Sequence, residues 1–154
     1  MDCMELVLIF FIVILVGLIF IYIKDINNLL VKRILQKKDY IIMIVGIILI
    51  LFLTYRVSES ELHLVVGILG AASFMLSFLR VGITTDGFRS VRGIVKGDFE
   101  NIEKVTISKN ENIKIVFISK GIEDIQHYKL KDYDRIIKIL RKNIENKRIE
   151  IIYN

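Results

Sequence analysis

The chain of 154 residues has no proline and no tryptophan, one cysteine and two histidines. A single thiol, Cys3, excludes an internal disulfide, a redox pair and a cysteine-based zinc site. Cys3 also precedes the first apolar run, where the lipid-bearing cysteine of a bacterial lipoprotein would follow one, so it reads as an unmodified residue at a membrane edge. His63 and His127 fall in segments expected on different sides of a membrane and share no metal or nucleophile-activating site. The glycines at 82, 87, 93 and 97 are followed by no Gly-Lys-Ser/Thr and no strand-to-helix cluster, which excludes a phosphate-binding loop and leaves them as turn residues. No Asp, Glu, Lys or Arg sits centrally in any long apolar run, so the usual marks of an ion path or proton relay are missing. These absences predict no catalytic, cofactor-binding or metal-binding residue, and a protein that is not an enzyme.

Three long apolar runs dominate the first half of the chain and mark 1–80 as a transmembrane region. Met4 to Ile23, marked only by Glu5 at its edge, is long enough to cross a bilayer as a helix, about 30 Å at 1.5 Å per residue. A cleaved signal peptide would carry Lys or Arg ahead of the run and small residues behind it. Here Asp2 and Glu5 precede it and Phe20-Ile21-Tyr22-Ile23 end it, the pattern of a retained anchor. Tyr40 to Tyr55 and Leu62 to Leu79 are shorter and reach full span by taking in flanking residues or by thinning the bilayer. A chain this small could not cover three such helices as a soluble core. On the third run the small residues Gly67, Gly70, Ala71, Ala72, Ser73 and Ser77 would let backbones approach, within the bundle or against a partner.

Charge sets the orientation. The segment 24–39 carries five basic residues, Lys24, Lys32, Arg33, Lys37 and Lys38, against two acidic ones, while the loop from Arg56 to Glu61 carries one. The positive-inside rule therefore puts the first loop and the C-terminal tail in the cytoplasm and the N-terminus outside, in a multi-pass protein of the cell membrane. Ile26, Leu29, Leu30 and Ile34 recur at helical spacing in that loop, which reads either as a short interfacial helix with Lys32, Arg33, Lys37 and Lys38 toward anionic lipid, or as a plain topogenic loop.

The stretch from Arg80 to Asn154 holds the whole basic excess, with 16 Lys and Arg against 11 Asp and Glu, and 81–154 forms the tail. Asp86-Gly87 predicts a tight turn between Val81–Thr85 and a second arm from Phe88 through Gly93-Ile94-Val95-Lys96. Val105–Ser108, Ile113–Ser119 and, after Lys120-Gly121, Ile125–Leu130 read as further strands, five antiparallel strands in total. After Asp132 as N-cap, Tyr133, Ile136, Ile137, Leu140 and Ile144 mark one face of a helix to about Asn146, and Arg135, Lys138, Arg141 and Lys142 mark the opposite face. Ile149–Tyr153 either adds an edge strand or frays.

The layout of three helices, a basic first loop, and a tail with Thr85-Asp86-Gly87-Phe88, Phe99–Val105, Ile113-Lys114-Ile115 and Tyr133–Leu140 resembles the YobD-like family of small uncharacterised bacterial inner-membrane proteins. The tail pattern is also similar to bacterial pleckstrin-homology-like modules. That resemblance implies a reduced α+β, PH-like version, an antiparallel sheet with a C-terminal helix behind transmembrane helices, and it brings no catalytic residues. The expected function is a membrane accessory protein whose basic module binds anionic inner-leaflet lipid or a membrane or cytoplasmic protein partner, the latter through exposed sheet edges. The alternatives are protection against membrane-active peptides and regulation of a transporter. Nucleic acid is not an expected partner, because the charges alternate with acids and stacking aromatics are few.

Overall fold

The computed structural model describes residues 3–58, 60–90 and 96–153. Gly93, Ile94 and Val95, read above as part of a strand, lie outside the described residues. The chain divides into two compact units, one of Met1–Asn27 with Gln36–Leu79 and one of Asn28–Leu35 with Arg80–Asn154.

The first unit is three helices, α1 (Cys3–Asn27), α2 (Lys37–Val57) and α3 (Glu61–Leu79), each long and apolar enough to cross a membrane. Their apolar side chains remain largely exposed, as on Phe10, Ile41 and Leu53, which suits a lipid solvent and no aqueous one. α2 begins three residues before the apolar run, where the Gln36 N–H donates to Asp39 Oδ2 at 2.9 Å. That bond satisfies one amide at the helix start and sets a carboxylate at the positive end of the helix dipole. Hydroxyls inside the apolar helices bond their own backbone, Thr54 to the Ile50 carbonyl at 2.8 Å and Ser77 to that of Phe74 at 2.6 Å. Small residues are used for packing here: a Cβ on Gly67 would overlap the Thr54 side chain of α2, and one on Gly46 would overlap the Phe74 ring of α3. Close approach of α2 and α3 therefore absorbs part of the small-residue stripe.

The second unit starts inside the first loop. Leu29–Lys32 forms no interfacial helix; it is a strand, β1, paired antiparallel with β2 (Gly82–Thr84) from beyond the third helix. Helical spacing and strand pairing compete in Leu-Leu-Val-Lys, and the strand prevails because it buries Val31 and fills the edge of β2. With β3 (Gly87–Arg89) and β4 (Lys96–Asp98) these make a four-stranded sheet in chain order. The hairpin tip is Thr85-Asp86, one residue earlier than expected. Gly87 instead opens β3 with φ +153°, and a Cβ there would overlap the carbonyl oxygen of Gly97, so glycine serves a close strand approach and not a turn centre.

A second four-stranded sheet has the order β7-β6-β5-β8, from β5 (Ile102–Lys109), β6 (Ile113–Ser119), β7 (Ile122–Tyr128) and β8 (Ile149–Tyr153). Lys120 and Gly121, both at positive φ, form the two-residue turn between β6 and β7, the twist-matched kind. α4 (Tyr133–Asn143) follows β7, and β8 pairs with β5 in parallel at the far edge. The module is thus two sheets with one parallel pair, where five antiparallel strands were expected. A strand reached through a helical crossover returns parallel, which alternation within the strand cannot reveal.

One core joins both sheets and α4. Phe88 stacks on Phe117 with ring centroids 4.2 Å apart, and Ile107, Ile115, Ile136 and Leu140 are fully buried in the same cluster. The helix ends at Asn143, earlier than expected, and Ile144 turns back extended to stay in the core. Asp132 stands at the N-cap but its side chain makes no cap hydrogen bond, the chain entering through a 3-10 turn at Leu130–Asp132.

Candidate membrane-facing basic surface

On α4, the 100° step between residues places Ile136, Ile137 and Leu140 on one side and Arg135, Lys138, Arg141 and Lys142 within one arc of the other. The four cations are exposed, and among the described residues none of them forms an ion pair. Lys129 and Lys131, also exposed, extend the basic stretch ahead of the helix around the exposed Leu130. Asp132 and Asp134 are the acids in this stretch, so six basic residues face two acidic ones between 129 and 142.

The first-loop cations do not share one helical face. Lys32 is exposed at the end of β1 and Arg33 follows it in the second unit, whereas Lys37 and Lys38 are exposed in the first turn of α2, in the helical unit. The structure therefore joins Lys32 and Arg33, but not Lys37 and Lys38, to the module that carries α4.

Sequence reading missed the joint that brings β1 to β7. The Arg33 N–H donates to the Val81 carbonyl at 3.3 Å and the Ile34 N–H to the His127 carbonyl at 2.7 Å. His127 lies on β7, as expected, and its carbonyl takes part in this joint. His63 accepts or donates at Nδ1 to the Ser60 hydroxyl, 2.8 Å away, at the start of α3. Among the described residues no group of three His, Cys, Asp or Glu side chains is placed to hold a metal ion.

Beneath this joint is a polar chain within the core. The Tyr128 hydroxyl donates to Gln126 Oε1, and Gln126 Nε2 donates to the Arg89 carbonyl at 2.9 Å and to Asp124 Oδ2 at 3.0 Å. Gln126 thereby ties β7 to β3 across the two sheets. The Arg89 guanidinium runs to Asp98 at 3.6 Å and Asp86 at 3.8 Å, steadying the hairpin. Burial raises the Tyr128 pKa well above the ordinary phenol value of 10; Arg33 opposes the shift and Asp124 adds to it. In the folded module Tyr128 therefore keeps its proton where an unfolded phenol loses it. That contribution to stability is complete below pH 10 and declines as pH rises through and above that value. Tyr128→Phe should cost about 1–3 kcal/mol near neutrality by leaving Gln126 Oε1 unsatisfied, and the gap to wild type should narrow in alkali. Thermal unfolding of the full chain over that range checks both effects; a gap independent of pH would place the hydroxyl in solvent.

Comparison of the chain with protein-family models, curated proteins and solved structures gives no match.

Proposed function

We propose that the chain is a non-enzymatic accessory protein of the bacterial cell membrane whose basic, PH-like module engages the anionic inner leaflet. The observation that carries this reading is the exposed α4 face of Arg135, Lys138, Arg141 and Lys142, free of ion pairs among the described residues. Unpaired surface cations near a bilayer gain about 1 kcal/mol each from anionic headgroups. Reach favours lipid over a distant target: Asn28 alone separates α1 from β1, and Arg80 and Val81 alone separate α3 from β2. Two residues extend at most about 7 Å. The arrangement of two four-stranded sheets with a helix between β7 and β8 is what supports the PH-like reading.

The orientation has independent support. β1 comes from the first loop and β2 from beyond the third helix, and they share a sheet, so both belong on one side of any membrane the helices cross. Five basic residues in segment 24–39 favour the cytoplasm as that side. A reporter fused after Asn154 should be active only inside the cell; activity outside would overturn the assignment.

The lipid test uses the full chain with Cys3→Ser and Lys138→Cys, the new thiol carrying a polarity-sensitive fluorophore, in neutral or anionic proteoliposomes. The probe should report a drier environment in anionic vesicles only. The difference should fade as the Debye length falls from about 10 Å at 0.1 M salt to about 3 Å at 1 M, and neutralising Arg135, Arg141 and Lys142 should remove it. Identical spectra in both lipids would sink the leaflet reading and favour a protein partner.

A further inference from the structure

In the second unit the exposed large apolar side chains among the described residues are Ile122, Ile125, Leu130 and Ile152. Three of them lie on β7 or β8 of the sheet. Leu130 is different: it is 41% exposed in the 3-10 turn that opens α4, between the exposed Lys129 and Lys131. Single exposed leucines are ordinary. Its surroundings are what give this one meaning.

The turn also has a fixed tether. His127, three residues before Leu130, accepts the Ile34 N–H at 2.7 Å, and Ile34 is three residues before Lys37, the first residue of α2. The strand that leads into this turn is therefore pinned to the first-loop segment inside the second unit.

We infer that Leu130 is a membrane anchor: its side chain enters the boundary between headgroups and acyl chains of an anionic bilayer, while Lys129 and Lys131 bind lipid phosphates on either side. Lysine stems lie along apolar surface with their ammonium groups in the polar layer, so the Lys-Leu-Lys order suits one residue in and two residues out. Arg135 and Lys138, on the following turns of α4, continue the phosphate contact along the surface, as in helices that lie in the interface plane. The inference rests on the leaflet reading above and adds to it the residue that inserts.

Absence of tryptophan from the chain makes the test direct. Leu130→Trp in the full chain supplies one fluorophore, and Ile125→Trp, on the exposed side of β7, supplies the comparison. Both are reconstituted in phosphatidylglycerol-containing vesicles whose acyl chains are brominated near the headgroup. The indole at position 130 should emit to the blue of a hydrated indole and lose most of its emission to bromine. The indole at position 125 should keep hydrated emission and be quenched by aqueous iodide. Hydrated, bromine-insensitive emission from the Leu130→Trp variant overturns the anchor, as does equal bromine quenching of both positions. If the indole at 130 stays hydrated while the fluorophore at 138 still responds to anionic lipid, the anchor falls and the leaflet reading stands. Bromine quenching at 130 with no response at 138 supports insertion of Leu130 and overturns the phosphate contact along α4.

Discussion

A fragment beginning at Arg80 is expected not to reach the folded state of the module, and the same fragment preceded by residues 28–35 on a short flexible linker is expected to fold. Without β1 the sheet loses the pairing of Leu29, Val31 and Lys32 with Thr84, Ile83 and Gly82, and the Ile34–His127 hydrogen bond disappears. Val31, which is 3% exposed, would also be missing from the core. Burial of one such side chain contributes about 1.5–3 kcal/mol and each hydrogen bond about 0.5–1.5 kcal/mol. Their sum is comparable with the roughly 5–15 kcal/mol that holds a whole domain. Circular dichroism and thermal melting of the two fragments are the measurement; equal melting temperatures would mean that β1 is an ornament on a module complete without it.

The second large effect is at Ile136. Its side chain has no exposure, and Ile136→Asp would place a carboxylate in the core cluster of Leu140, Phe117 and Ile115. Burial without a partner costs several kcal/mol even after the group takes up a proton. The full chain in detergent should then lose protease resistance across Arg80–Asn154 while the helical unit stays intact. Ile137→Asp should do much less, because Ile137 is only partly buried against the core and its carboxylate can turn toward water. Equal protection of the Ile136→Asp variant and the wild type would require α4 to pack by another face.

What could be read in the sequence follows the range of the physics involved. The apolar runs, the alternation of Ile113–Ser119, the Lys120-Gly121 turn and the two faces of α4 are local patterns, and each corresponds to an element seen here. β1 was not legible, because Leu-Leu-Val-Lys becomes a strand only through a partner beyond two further helices. The parallel direction of β8 likewise depends on α4 carrying the chain from one edge of its sheet to the other. Gly87 looked like a turn residue because the Gly97 carbonyl that forbids a side chain there belongs to another strand. At the basic surface, the α4 cations followed from helical spacing. The separation of Lys32 and Arg33 from Lys37 and Lys38 did not, and neither did Leu130, which in a sequence cannot be told from a core leucine.

The position of β1 between α1 and α2 also imposes a schedule on biosynthesis. Lys32 leaves the ribosome well before Gly82, its partner, and at about 5–20 residues per second the strand waits several seconds with an open edge. On the proposed membrane reading, α2 and α3 enter the bilayer during that wait, and the sheet of β1 to β4 completes itself only after the last helix is in place. A chain in which α2 or α3 alone fails to cross leaves β1 and β2 on opposite sides of a lipid barrier with no means of meeting. Unfolded segments are continuously triaged by chaperones and proteases, so misinserted copies should be short-lived.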